Sequence, residues 1–533
     1  MNRACRTWCA LLTIALAVPP AWAESIEERL ERMEREIQEL REELRRERAE
    51  KANAPVAAPA PTVSASGETP SAPAAVAEGA VPEKESVATR AFREVTDRVR
   101  VGGYGSTRFE TSSLANQNTT FTYRRFVLTA DATIAPRIRS YLELEFERFR
   151  ELELEKQFGP ADGGLEIEQT VEGTNESEIA FEQAWLDYEV THGMHARIGE
   201  VLVPLGRFNL NHDDNLWNIA RRSLVDRGTP VLPVPAAWGE LGAGVRGDLE
   251  IGDEGRFTYE GYVVNGATLD VEFEQIAKTR QGDTTLNAIE AKIQPATGVF
   301  GNDTKDSKAL TGRLAYSPAL GHEIGVSGYW GRYTPDFLAN EDVWSASFDG
   351  LTGFGPFELE GEYVYTRFEG IGNVARSLAE VAINQESEGE VGDVETEVEF
   401  ELSSLARSKQ GYWLEGRYRF WPSFLDRTIL GRSFDNPQFV GVVRGEQVWL
   451  NGLIDEIGFS DSRLTSFEDS NRFVNRVTAG LAYRPVPPVV FQLAYEFTWT
   501  NHGQSLSGVT NFLAAGEHED TDHALLVGAA FGF

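Results

Sequence analysis

The chain has 533 residues, with 83 Asp and Glu against 50 Lys and Arg and a formal net charge of −33 at pH 7. That balance argues against a nucleic-acid or anionic-lipid partner. No run of about 18 apolar residues occurs, which excludes a transmembrane helix, and both cysteines, Cys5 and Cys9, lie within the first ten residues.

Residues 1–23 read as a secretory signal peptide. Arg3 and Arg6 form a positive start, Ala10 to Val18 an apolar core, and Ala21-Trp22-Ala23 a small-residue cleavage site. Cys9 precedes the apolar core, which argues against a lipid anchor. Removal takes both thiols, leaving no disulfide and no cysteine-based metal or redox site. It leaves 48 Lys and Arg against 83 Asp and Glu, a net charge of −35.

Residues 24–50 read as a short coiled coil. Ile26, Leu30, Met33, Ile37, Leu40 and Leu44 alternate spacings of four and three, a heptad seam with Leu30, Ile37 and Leu44 at a. The seam permits a trimer without fixing the strand number. A single amphipathic helix packed on another element is the plainer alternative. Residues 51–88 form a Pro/Ala-rich linker with prolines at 55, 59, 61, 70, 73 and 82. It cannot build a core, and it spans roughly 35 Å if flexible or roughly 120 Å if fully extended.

From residue 89 onward the pattern is that of a barrel. About sixteen segments of strand length show alternation, and their connections alternate between short and long. Short ones fall at Ala135-Pro136, Thr191 to Met194, Gly252 to Gly255, Pro318 to Gly321, Gly350 to Pro356 and Pro485 to Pro488. Long ones fall at 111–122, 148–180, 204–239, 265–307, 369–409, 448–471 and 500–520. The stretch Trp421 to Gln438 is too long for its place among the short turns. Val489, Phe491, Leu493, Tyr495, Phe497 and Trp499 share one face, with Gln492, Glu496 and Thr498 on the other. The chain ends in LLVGAAFGF, an alternating strand closed by Phe533. These features predict an all-β membrane protein, an antiparallel up-and-down transmembrane β-barrel of about sixteen strands. A polar interior then encloses an aqueous channel. Gly103, Gly105 and Ala529 offer small outward contacts for close packing of barrels.

The predicted inner face carries arginines at Arg98, Arg100, Arg108 and Arg125, then at Arg417, Arg419, Arg444 and Arg476. Carboxylates at Glu143, Glu145 and Glu147, and at Glu358, Glu360 and Glu362, lie on other sectors. A basic wall facing an acidic wall would sort solutes by charge. The connection 204–239 is the candidate constriction. It carries Arg207, His212, Asp213, Asp214, Arg221, Arg222, Asp226 and Arg227, and arginine suits phosphate and carboxylate. An outer loop whose charges simply face water is the alternative.

The run ARIGEVLVPLGRFNLNHDDNLW followed by AAWGELGAGVRG, with Arg197, Gly199, Pro204, Gly206, Trp238, Glu240, Gly242 and Gly247, resembles the phosphate-selective porin O and P family. The resemblance is concentrated in residues 195–250. It implies a homotrimer of sixteen-stranded barrels in the bacterial outer membrane, with an arginine ladder and a lysine cluster where phosphate is bound. No lysine cluster is matched here.

The acidic stretches, including Glu395, Glu397, Glu399 and Glu401, contain no calcium loop and read as solvated surface, although divalent ions could bridge them to lipopolysaccharide. His518 and His523 fit no standard metal spacing. The reading is therefore a passive pore for small polar or anionic solutes, with phosphate as a candidate. Outer-membrane lipids and lipopolysaccharide surround it, the coiled coil sits in the periplasm, and no cofactor, metal or enzyme chemistry is expected. The alternatives are a barrel-anchored periplasmic tether and, behind it, an outer-membrane barrel enzyme.

Overall fold

The computed structural model describes residues 98–533 apart from 116, 148–151, 162–163, 174–177, 236, 282–283, 300–302, 388–392, 403–404, 461–462, 507–514 and 517. The expected signal peptide, coiled coil and linker lie outside these residues.

Among the described residues, twenty-one strands follow one another: β1 (Val99–Thr111), β2 (Thr120–Ala135), β3 (Ile138–Glu147), β4 (Leu152–Ala161), β5 (Gly164–Gly173), β6 (Glu178–Thr191), β7 (Met194–Leu202), β8 (Gly239–Ile251), β9 (Gly255–Val264), β10 (Thr268–Gln281), β11 (Thr284–Ala296), β12 (Ala309–Ala319), β13 (His322–Arg332), β14 (Asp342–Phe354), β15 (Phe357–Phe368), β16 (Asp393–Leu402), β17 (Ala406–Phe420), β18 (Gln438–Ser460), β19 (Arg463–Val486), β20 (Val489–Thr500) and β21 (Thr521–Gly532). Sixteen of them close into a barrel, in the order β1-β2-β3-β6-β7-β8-β9-β12-β13-β14-β15-β17-β18-β19-β20-β21. The ring is sealed by antiparallel pairing of β1 with β21, from Tyr104 opposite Gly532 to Thr111 opposite Leu525. Closure leaves no open edge, which is what a sheet facing lipid requires. No helix among the described residues is long and apolar enough to cross a membrane.

Alternation makes the wall two-faced. On β21, Leu525, Val527 and Phe531 are exposed while Leu526 and Ala530 are buried. On β20, Phe491, Leu493 and Tyr495 face out and Gln492, Glu496 and Thr498 face in. Aromatic rings run as a continuous ladder along the short-turn rim, linking Phe357, Tyr418, Phe420, Phe439, Tyr483 and Phe491 at centroid spacings of 4.7–6.2 Å. Gly103 and Gly105 are not bare contacts for a neighbouring barrel, because the rings of Phe533 and Phe531 already cover them.

The long connections carry structure of their own. Connection 148–180 holds the β4–β5 hairpin, and β10, β11 and β16 form a separate three-stranded sheet. A helix over Ile371–Ser387 lies in 369–409, and β18 and β19 run on as a hairpin through 448–471. The interior is also not uniformly polar. Inward Val364, Phe368, Trp413, Val448 and Val474 join Ile371, Leu378, Leu450 and Leu506 in one buried apolar cluster. Connections that fold back over a barrel mouth need such a cluster, since each fully buried large side chain contributes about 1.5–3 kcal/mol.

Candidate functional site

The connection between β7 and β8, residues 203–238, folds into the barrel. Its Val203, Leu205, Phe208, Asn209, Trp217, Ile219 and Leu224 are all buried. It begins with helix α1 (Arg207–Leu210), and it is fastened to the inner wall on three sides.

The first fastening is to β1, β2 and β6. Register slips by one residue between Ser106 and Thr107 against β2. This bulge lets two consecutive arginines, Arg124 and Arg125, both face inward. Each lies within 4 Å of Asp214, which also accepts a hydrogen bond from the Ser106 hydroxyl at 2.5 Å. Burial pushes the Asp214 carboxyl up, but the two guanidinium groups and the hydroxyl outweigh it and hold it below the usual carboxylate range. A second bulge, between β3 and β6, likewise turns both Glu182 and Gln183 inward. His212 donates through Nδ1 to the Asn209 carbonyl at 2.8 Å and through Nε2 to Glu182 at 3.2 Å. With an acceptor at each nitrogen the ring carries both protons. Burial opposes that charge, yet Glu182 prevails and raises the imidazole to about 9. Asp213 is the more exposed neighbour, 3.9 Å from His212.

The second fastening is to β13, β14 and β15. Arg207 pairs with Glu323 at 2.6 Å and with Glu360, with Asp349 at 4.0 Å. The Glu362 carboxylate accepts from the backbone amides of Arg207 and Phe208 at 2.7 and 2.8 Å. Position 206 is therefore a glycine for two reasons: its φ is +76°, and an added Cβ would strike Glu362.

The third fastening is to β18, β19, β20 and β1. Arg221 pairs with Glu496 at 2.6 Å and Glu110 at 3.0 Å. Arg444 donates to the Arg221 carbonyl, and Glu446 accepts from the Leu224 amide. Arg484 and Gln492 hold the carbonyls of residues 215–217. Arg222 stays inside the loop, 2.9 Å from Asp226 and 5.7 Å from the Trp217 ring centre. The side chain of Arg227 lies outside the described residues.

The candidate residues thus gather at the loop, but with partners. Arg125 meets Glu145 at 2.8 Å and Glu147 at 3.8 Å. Glu143 accepts from Gln183. Arg417 meets Glu358, Glu360 and Glu415 at 2.5–2.6 Å, and Arg419 meets Glu358 at 2.7 Å. Arg444 lies near Glu415 and Glu446, and Arg476 near Glu446 and Thr498. The expected basic wall facing a separate acidic wall is corrected to a mesh in which arginines pair with carboxylates of adjacent strands. Opposite charges on neighbouring strands lie within side-chain reach, so they neutralise locally rather than across the lumen. Sequence reading missed Arg124, Glu182, Arg484 and Glu446. The doublets Arg124-Arg125 and Glu182-Gln183 break alternation, and that break was the available signal for both bulges.

The motif residues after the loop close its far end. Trp238, fully buried, donates to Glu240, whose carboxylate also accepts from the amides of Gly266 and Gly298. Lys305, nearby, gives its ammonium to the carbonyls of Gly266 and Ala267, and burial lowers its pKa to about 8. Among the described residues, no group of three or more His, Cys, Asp or Glu is arranged to hold a metal ion.

No family model matches the chain. A protein of Aquifex aeolicus (strain VF5), described as uncharacterized, is 24% identical over 237 residues, 44% of this chain. The match spans 45% of that relative's own length. Solved structures with a similar layout each cover 82% of the chain. An anion-selective porin from Comamonas acidovorans has a TM-score of 0.43 at 11% identity, covered over 99% of its length. Salmonella typhi OmpF, in complex with daunomycin, has 0.41 at 10%, and the outer membrane channel DcaP of Acinetobacter baumannii 0.38 at 11%, each covered over 97%. The sixteen-stranded barrel itself is established by this chain's own strand pairing.

Proposed function

We propose that the protein is an outer-membrane porin through which small hydrophilic solutes diffuse passively. The observation that supports this reading is the 203–238 connection, folded into a closed barrel with an apolar outer face and fastened to the wall on three sides. Such a loop narrows a lumen without closing a catalytic site, and the transport step requires only that a solute shed part of its water against paired charges. Because the arginines are matched by carboxylates, the pore discriminates weakly by charge. The phosphate selectivity implied by the family resemblance is the narrower form of this reading, and the homotrimer belongs to the same proposal.

The test is single-channel conductance and reversal potential in a planar bilayer across a KCl gradient, repeated with phosphate. Conductance with a small reversal potential and no phosphate block is the expected result. Strong anion preference with block would favour the narrower phosphate reading. A second reading, a barrel that anchors a periplasmic tether, is favoured by the apolar cluster that inward strand residues form with the connections. Absence of conductance would select it.

A further inference from the structure

Six of the seven connections on the short-turn side are two or three residues long, and the seventh, between β17 and β18, runs from Trp421 to Pro437. It is ordered rather than slack. A 3-10 turn covers Ser423–Leu425, Trp421 donates to Asp426 at 2.7 Å, and the Tyr483 hydroxyl donates to the Leu430 carbonyl at 2.5 Å. Yet it leaves Phe424 77% and Ile429 74% exposed. Exposed apolar side chains are ordinary one at a time; here two lie on one ordered turn that adjoins the rim's aromatic ladder. Arg427 and Arg432, both exposed, project from the same turn and have no ion pair among the described residues.

The position of the turn identifies what it meets. Trp421 stacks on Phe439 at 5.6 Å and on Tyr483 at 6.3 Å, extending the rim ladder into the turn. Rings of this kind sit at the lipid–water boundary. Phe424 and Ile429 belong to the turn that this ladder enters through Trp421, which in the outer-membrane reading puts them on the headgroup side of the boundary, and guanidinium groups on the same turn suit phosphate. The turn has two carboxylates of its own, Asp426 and Asp435, of which Asp426 accepts from Trp421, while connection 369–409, with ten carboxylates in its sequence, joins β15 to β17 at the other rim.

We propose that the 421–437 turn is a lip that seats in the phospholipid leaflet on the short-turn side, with Phe424 and Ile429 inserted and Arg427 and Arg432 against lipid phosphates. The proposal rests on the outer-membrane reading, and the test separates the two. Cys5→Ser and Cys9→Ser remove the native thiols from the full-length chain. A nitroxide is then placed at Ser423→Cys on the lip or at Val326→Cys on the outward wall. Each protein is reconstituted in phospholipid vesicles, and collision with oxygen is compared with collision with a water-soluble nickel chelate.

Oxygen-dominated collision at both sites, with residue 423 about 5–10 Å into the boundary, is the expected result. Adding Phe424→Ser and Ile429→Ser should return residue 423 to water and leave residue 326 unchanged. Arg427→Gln with Arg432→Gln should shift it part of the way. Lipid exposure at 326 with water exposure at 423 would overturn the lip alone. Water exposure at both would overturn the membrane reading beneath it. Spin–spin broadening at 423 would assign the surface to a second copy and overturn the proposal, as would a depth that the two serines leave unchanged.

Discussion

His212 makes the anchorage of the inner loop depend on pH. Its pKa rises from an ordinary value of about 6.5 to about 9 in the folded protein. A raised pKa contributes stability that is complete below about pH 6.5 and is lost as pH rises through about 9. Channel recordings should therefore be quiet at pH 6.5 and become noisy, with a larger mean conductance, at pH 10. His212→Gln should be noisy at both. Asp214 acts in the opposite direction because its pKa is lowered, so its contribution is lost only in acid. Asp214→Asn removes one carboxylate from between Arg124 and Arg125. Arg125 retains Glu145, so the loss should fall near the low end for a broken buried pair, about 3 kcal/mol, read as a lower thermal midpoint.

The strand is the scale at which the wall's two faces can be tested. Val326 faces outward on β13, and Val326→Arg should destabilise the folded barrel by about 2–4 kcal/mol in vesicles, measured by urea unfolding. An arginine on the inward face of the same strand meets water and carboxylates, so it should cost little. This periodicity was legible in the sequence because its period is two and one face is apolar. Strand number, most of the faces and six of the seven short turns followed from it. The fastening of the loop was legible only in part. His212, Asp214 and Arg207 stood out as charges in a long connection, but their partners lie more than a hundred residues away for Ser106 and Glu360. The two bulges hid Arg124 and Glu182, since one inserted residue reverses the face of every side chain beyond it. The apolar cluster was hidden for a related reason: its members come from inward positions of strands that carry charges further along, so no single strand displays it.

Removing 207–235 should raise conductance severalfold while the ring of sixteen strands persists, as judged by an unchanged β-sheet circular dichroism signal. The wall is closed by backbone pairing alone, and the loop only occupies its interior. Assembly of copies is a separate question, carried by residues 24–50 as the heptad reading has it. Detergent-resistant trimers should dissociate when that segment is deleted, as seen by native gel mobility. Trimers that persist would move the contact to the outer wall, away from Gly103 and Gly105, which Phe533 and Phe531 already cover.

The loop's fastenings also bear on how the barrel is made. Arg221 needs Glu110 from β1 and Glu496 from β20, so its partners are synthesised nearly four hundred residues apart. A ring that lacks its last strands offers Arg221 one carboxylate of the two, so the loop's third fastening is incomplete while the other two hold. Limited proteolysis should cut 203–238 faster in such an intermediate than in the finished barrel. The loop thereby distinguishes a completed barrel from an abandoned one, before any solute has tried to pass.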